Sequence, residues 1–113
     1  MIKYQQLSKT HQRRIDRAYK AFAANQPCIV SQASPVHLHH YRSQKFTRHG
    51  FPVGMGLKPP DIFILPLIPA LHNRGKVSIH ALGNERFEAM HRIDLDQCLE
   101  RLHDLFWQRI RAE

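Results

Sequence analysis

Residues 28–41 read CIVSQASPVHLHHY, two short apolar or alternating segments on either side of a turn at residues 32–35. This pattern predicts a β-hairpin with strands at 28–31 and 36–41. Because side chains alternate along a strand, His37 and His39 should share one face, while His40 should lie on the other with Leu38. The hairpin would therefore present several imidazoles close together.

The segments on either side of this hairpin predict helices and one extended stretch. Ser8 is the expected N-cap of a first helix over about residues 9–25, whose apolar stripe consists of Ile15, Ala18, Tyr19, Phe22 and Ala23. Residues 61–69 are apolar and interrupted by proline, which predicts an extended buried segment rather than a regular central strand.

Three further helices are predicted towards the C-terminus. A short one opens with proline at its first position, a second follows Asn84 as N-cap, and the last follows Asp94, with Gln97 completing a capping-box pattern. Their expected ranges are 69–72, 84–91 and 95–111. Helices around a small sheet give the fold class α+β, in one domain covering residues 1–113.

The composition excludes several classes of protein. The 113 residues include two cysteines, Cys28 and Cys98, too few for a disulfide framework, and no apolar run approaches the roughly 18 residues of a membrane span. The polar N-terminus has no apolar core of a signal peptide. The sequence therefore predicts a cytoplasmic, intracellular domain rather than a membrane protein, a secreted cystine-rich protein or a multidomain enzyme.

The net charge of +8 comes from 17 Lys and Arg against 9 Asp and Glu, and its distribution along the chain is uneven. Residues 9–20 hold five basic residues and one acid, and residues 37–58 hold four basic residues and no acid. Such charge could simply keep a small protein soluble, but clusters of this kind also favour binding to a polyanion, because contacts with phosphates release counterions. Both interpretations stand, with nucleic acid favoured.

Nine histidines are the most unusual feature of the composition. A neutral imidazole is a common metal ligand and, with an ordinary pKa near 6.5, a general base at neutral pH. The histidines that could form a site are His37, His39, His40, His72 and His80. The others are expected to be ordinary surface or core residues, and each cysteine a buried apolar side chain.

Five segments that carry histidines, glycines or a cysteine follow one another along the chain: Cys28-x-x-Ser31, His39-His40-Tyr41-Arg42, Gly54-Met55-Gly56-x-Lys58-Pro59-Pro60-Asp61, Pro66-Leu67 with His72, and His80-x-x-Gly83-x-x-x-Phe87. This order resembles that of phage-type HNH endonucleases. The similarity spans residues 10–100 and is greatest to the Ref-like, RecA-dependent nucleases and their small prophage relatives. It implies a ββα-metal core that hydrolyses DNA phosphodiester bonds in phage or prophage recombination inside the bacterial host cell.

The resemblance also implies roles for individual residues. His40 would be the general base, and Asp61 would belong to the catalytic set, near where HNH sites use an asparagine to orient the base. His39, His72 and His80 would hold Mg²⁺ or Mn²⁺, or the Zn²⁺ often bound in such sites, with His37 as an auxiliary or substrate contact. The residues expected to face DNA are Arg42, Lys45, Arg48 and Lys58, joined by Arg13 and Arg17 of the first helix.

The sequence departs from the family at two places. Only Cys28 remains of the zinc knuckle, whose other positions hold Ser31, Ile68 and Leu71, and a lone cysteine cannot hold tetrahedral zinc. The interval between His72 and His80 is also wider than usual, which an insertion at residues 73–76 would explain. These departures motivate an alternative, a catalytically impaired DNA-binding module derived from such a nuclease. RecA-coated DNA as substrate and assembly into a homodimer stay open.

Overall fold

The computed structural model of the chain describes residues 4–42 and 59–112. Within these ranges, five α-helices and two β-strands follow one another, with short 3₁₀ turns at Tyr4–Gln6 and Asp61–Phe63. The order is α1 (Lys9–Ala24), β1 (His37–His40), β2 (Ile64–Leu67), α2 (Pro69–His72), α3 (Ile79–Leu82), α4 (Asn84–His91) and α5 (Leu95–Ala112). The predicted α+β class is confirmed.

The predicted helix boundaries agree closely with the structure. The Ser8 hydroxyl accepts a hydrogen bond from the His11 amide at the start of α1, and the Asp94 carboxylate accepts one from the Gln97 amide at the start of α5. The helix predicted at 84–91 is α4, although its N-cap is Gly83 rather than Asn84. Within the predicted stripe of α1, Ala18 is exposed, while Tyr19, Phe22 and Ala23 are buried.

The predicted pairing of residues 28–31 with 36–41 is wrong. β1 instead pairs antiparallel with β2, in a register that places His37 opposite Leu67 and His40 opposite Ile64. Residues 28–31 belong to a tight turn, in which Cys28 donates to the Ala33 carbonyl and accepts from the Gln32 amide, both at 2.9 Å. Since those backbone groups are used within the turn, they cannot form a strand ladder with β1.

The apolar segment after position 61 is buried as predicted, but residues 64–67 form a paired strand despite Pro66. The Pro66 carbonyl accepts from the Ile29 amide at 3.1 Å, on the side of β2 away from β1. The nitrogen and carbonyl of one strand residue point to the same side, so the proline nitrogen also faces away from the ladder. The missing N–H therefore costs no hydrogen bond between the two strands.

The hydrophobic core fixes this two-stranded sheet between α1 and α5. The buried Tyr19 hydroxyl of α1 donates to the Ile64 carbonyl at 2.8 Å, and its ring packs edge-on against Phe106 of α5. On α5, the His103 Nε2–H donates to the Ile62 carbonyl at 2.6 Å. Both helices thus hold the backbone of residues 61–64 in place, and this segment supports the site described next. Among the described residues, no helix is both long and apolar enough to cross a membrane.

Candidate metal centre

Three of the predicted metal ligands meet in space. His39, His72 and His80 each offer a ring nitrogen that lies within 4.8 Å of the other two. His39 comes from β1, His72 from α2 and His80 from α3. The His39 ring packs edge-on against both other rings, with centroid distances of 5.2 Å to His72 and 5.3 Å to His80. We refer to these three residues as the histidine cluster.

The two short helices hold His72 and His80 in place because the residue before each histidine is buried in the core. Leu71 is buried next to His72, and α2 follows β2 so closely that His72 returns beside β1. In α3, Ile79 is buried next to His80, and the buried Ser78 hydroxyl accepts from the Ala81 amide as an N-cap. Each helix is only four residues long, so packing rather than helix propensity fixes it.

The wide interval between His72 and His80 is accommodated by a loop at residues 73–78. Within it, a Cβ atom at Gly75 would lie only 2.9 Å from the Ala70 carbonyl oxygen, so the close approach of the two backbones requires glycine. The loop folds back onto α2, with the Arg74 amide donating to the Pro69 carbonyl at 3.0 Å. It thereby brings His80 to His72 without a continuous helix.

The spacing and protonation of the cluster fit a divalent cation. The Nε2 atoms of His72 and His80 lie 3.1 Å apart, close to the roughly 3.3 Å between two ligands of tetrahedral zinc with Zn–N bonds of about 2.0–2.1 Å. Burial, followed by the neighbouring imidazoles, lowers the pKa of His39 to about 4, and the same causes lower the pKa of His72. Both rings are therefore neutral at pH 7, the form that binds metals.

His40 and Asp61 form a second constellation beside the cluster. The His40 Nε2 lies 2.8 Å from the Asp61 Oδ1, and both side chains are partly exposed, by 21% and 30%. Asp61 opens the 3₁₀ turn that leads into β2, whose residue Ile64 is opposite His40 in the sheet. Sequence reasoning placed Asp61 near the base, and the structure brings the two together.

Asp16 of α1 supports this turn, and sequence reasoning missed it. Its Oδ1 accepts from the Ile62 amide at 3.1 Å, and its Oδ2 accepts from the Tyr4 hydroxyl at 2.8 Å. Burial chiefly, and the nearby Asp61 in addition, raise the pKa of Asp16, although its two hydrogen bonds oppose the shift. The available signal was that Asp16 is the one acid in the basic segment 9–20.

The auxiliary residue His37 lies behind the cluster. Its Nδ1 is 3.2 Å from the Nδ1 of His72, and the two rings meet edge-on. His37 and His39 thus share one face of β1, as predicted.

The basic residues predicted to contact DNA are only partly described. Arg13 and Arg17 are exposed on α1, with Arg13 one turn before Asp16. Arg42 is exposed just after β1, and its carbonyl accepts from the Asn84 side chain. Lys45, Arg48 and Lys58 lie outside the described residues. The same is true of residues 54–57, which form the first part of the glycine-containing motif.

The positions that correspond to the zinc knuckle of HNH endonucleases surround a single thiol. Cys28 is buried, Leu71 is buried, and Ile68 packs against the core. Burial raises the pKa of the Cys28 thiol, but hydrogen bonds from Ser31 and from the backbone of Ile68 and Val30 outweigh it, and the net pKa is lowered. Apolar contacts and backbone amides thus surround the sulfur, and Cys98 is also buried as a free thiol.

The depressed histidine pKa values predict that acid destabilises the protein. Burial lowers the pKa of His103 as well as those of His39 and His72, so the unfolded chain binds more protons than the folded one below pH 6.5. Stability should therefore fall as the pH falls from 6.5 towards 4, by up to about 3 kcal/mol from a group with the pKa of His39.

Urea unfolding in EDTA at pH 7 and pH 5 measures this effect, since most carboxylates stay ionised over that interval. The same measurement on a His39→Gln variant, which removes one of the three histidines, should show a smaller loss of stability between pH 7 and pH 5. A higher urea midpoint at pH 5 than at pH 7 would contradict the assignment of these three histidines as neutral in the folded state.

The resemblance to HNH endonucleases lies in the order of the sequence motifs. The candidate site consists of the histidine cluster, the His40–Asp61 pair and the exposed arginines of α1. Comparison with family models, with curated proteins and with solved structures finds no match to this chain.

Proposed function

We propose that the protein is a metal-dependent endonuclease of the HNH type, which hydrolyses phosphodiester bonds in DNA. One observation carries the proposal: the adjacent residues His39 and His40 at the end of β1 belong to a three-imidazole cluster and to an imidazole–carboxylate pair, respectively. The first arrangement suits a cation, and the second suits a general base. A phosphodiesterase needs both, because water must be deprotonated while charge on the phosphate is stabilised.

In this mechanism the two nitrogens of His40 would have different roles. The Asp61 carboxylate accepts the Nε2–H, so the neutral ring carries its lone pair on Nδ1. Nδ1 is therefore the atom that takes a proton from the attacking water. Asp61 holds the ring in this tautomer and stabilises the imidazolium that forms, which makes it a positioning residue rather than a base.

The histidine cluster would hold Mg²⁺, Mn²⁺ or Zn²⁺. When bound, a divalent cation stabilises the negative charge that develops on the scissile phosphate and on the leaving oxygen. The nitrogen ligands suit Zn²⁺ better than Mg²⁺, which prefers oxygen. The cluster's own contribution is a fixed set of three imidazoles, held by the buried neighbours of His72 and His80.

The exposed arginines of α1 extend the proposal to the substrate. Arg13 is exposed one helical turn before Asp16, whose carboxylate holds the turn that carries Asp61, so one helix carries both an exposed arginine and the support of this turn. With the resemblance to Ref-like nucleases, this supports a role in phage or prophage recombination, with RecA-coated DNA as a substrate to compare with naked DNA.

Incubation with supercoiled plasmid tests the proposal. We expect conversion to nicked circles in Mg²⁺, Mn²⁺ or Zn²⁺, and none in EDTA. DNA binding measured by fluorescence anisotropy should weaken steeply with salt. Salt-dependent binding without nicking in any of the three metals would favour the impaired DNA-binding module instead.

A further inference from the structure

Among the residues that the structure describes, both ring nitrogens of His72 have a partner. Its Nε2 lies 3.1 Å from the Nε2 of His80, inside the cluster, and its Nδ1 lies 3.2 Å from the Nδ1 of His37, on the opposite side of the ring. A neutral imidazole has one N–H and one lone pair. If Nε2 directs its lone pair into the cluster, Nδ1 must carry the proton.

We propose that His37 is a positioning residue that orients His72 for metal binding by accepting the hydrogen bond from its Nδ1–H. The inference rests on the proposed metal centre and adds a partner outside it. His37 can accept at Nδ1 only as the tautomer with its own proton on Nε2. Metal-bound histidines generally donate their second N–H to a carboxylate, a carbonyl or a water, and here an imidazole occupies that place.

The placement of His37 makes it suitable for this role. It is two residues before His39 on the same face of β1, and it is fixed by the sheet opposite Leu67. The helix α2, which carries His72, begins two residues after Leu67. The pairing of β1 with β2 therefore brings His37 and His72 close together. The His37 and His72 rings meet at an interplanar angle of 85°, which lets the two nitrogens approach without stacking.

Metal affinity in two variants tests the inference. His37→Leu removes the acceptor but retains an apolar side chain, whereas His37→Asn keeps an oxygen at nearly the position of Nδ1. We expect the affinity for Co²⁺ or Zn²⁺ to fall about 10–100-fold in His37→Leu and to be largely restored in His37→Asn. The visible bands of bound Co²⁺ should change in His37→Leu, and the exposed His11→Leu should match the wild type.

The ring tautomers of the wild-type protein provide a second test that does not depend on any variant folding. In the Zn²⁺-loaded protein, nitrogen-15 NMR should show His72 protonated at Nδ1 and His37 protonated at Nε2. Unchanged Co²⁺ affinity in a folded His37→Leu, or His72 bound through Nδ1, would overturn the role of His37 alone. A wild-type protein that binds neither Co²⁺ nor Zn²⁺ would overturn the metal centre and this inference together.

Discussion

Replacement of His40 by alanine is expected to remove DNA nicking almost completely while leaving DNA binding nearly unchanged. The Nδ1 of His40 is the proposed acceptor of the water proton, and positioned general bases typically contribute about 10²–10⁴-fold to rate. DNA affinity should persist because the residues proposed to contact DNA, such as Arg13 and Arg17, are not changed by the substitution. Plasmid nicking under single-turnover conditions and fluorescence anisotropy measure the two properties separately.

The Asp61→Asn variant adds a test that loss of folding cannot imitate. An amide can donate to Nε2 as well as accept from it, so the His40 ring can adopt the tautomer whose Nδ1 carries the proton and cannot act as base. Nicking should fall by about 10-fold or more, because the amide no longer fixes the tautomer that has its lone pair on Nδ1. Metal affinity should stay at the wild-type value.

The control for both variants is His91→Ala. His91 is half-buried like His40, and its Nε2 lies 3.0 Å from the Val77 carbonyl, outside the histidine cluster and the His40–Asp61 pair. It should retain nicking even if it loses some stability. Wild-type cleavage by a folded His40→Ala protein would exclude His40 as the base.

Four of the five described helices were predictable from sequence because their signals are local, whereas α3, which carries His80, was not predicted. Ser8 and Asp94 cap α1 and α5 with their own side chains, and apolar residues repeat along one face of each helix. The strand pairing was not predictable in the same way, since it depends on competition between distant segments. Residues 28–31 resemble a strand in composition, yet their backbone groups close the turn to Gln32 and Ala33. β2, far along the chain, takes the position beside β1.

The closeness of His39, His72 and His80 was predicted, whereas the hairpin expected to carry His39 has a different partner strand. His39 and His40 are adjacent in the sequence, so their divergence into a cluster and a pair follows from the alternation of a strand, whatever its partner. His80 was harder to place, because the loop at 73–78 that brings it to His72 depends on the close backbone approach at Gly75. The role of Asp16 depends on how α1 packs against the turn at residues 61–63. The contact of His37 depends on one pair of ring nitrogens, and neither can be derived from the spacing of residues in the sequence.

Replacement of His72 by alanine is expected to have the largest effect on metal binding. His72 contacts all the other imidazoles involved, at centroid distances of 4.7 Å to His80, 5.2 Å to His39 and 5.4 Å to His37. Without His72, the cluster keeps two imidazoles, which lie on separate elements. Metal affinity should therefore fall by more than the 10–100-fold that is typical when the hydrogen-bond partner of a metal ligand is removed. Isothermal titration calorimetry with Zn²⁺ or Mn²⁺ measures this directly.

Thermal unfolding gives an independent measurement of the same loss. A ligand that binds only the folded state stabilises it by about 2.7 kcal/mol at a concentration 100 times its Kd. The wild-type Tm should therefore rise when metal is added, and the Tm of His72→Ala should not. His91→Ala again serves as the matched control, since it removes a half-buried imidazole from α4 and should keep the metal-dependent rise.

Added imidazole separates loss of a ligand from a disturbed fold. His72 is half-buried between β1 and α3, so the alanine variant leaves a space of the shape of the missing ring. Free imidazole that enters it can restore the third nitrogen, and both metal binding and nicking should then recover in part. A wild-type isotherm in the folded His72→Ala protein without imidazole would show that the cation binds elsewhere. The cluster would then be three packed histidines with no part in cleavage.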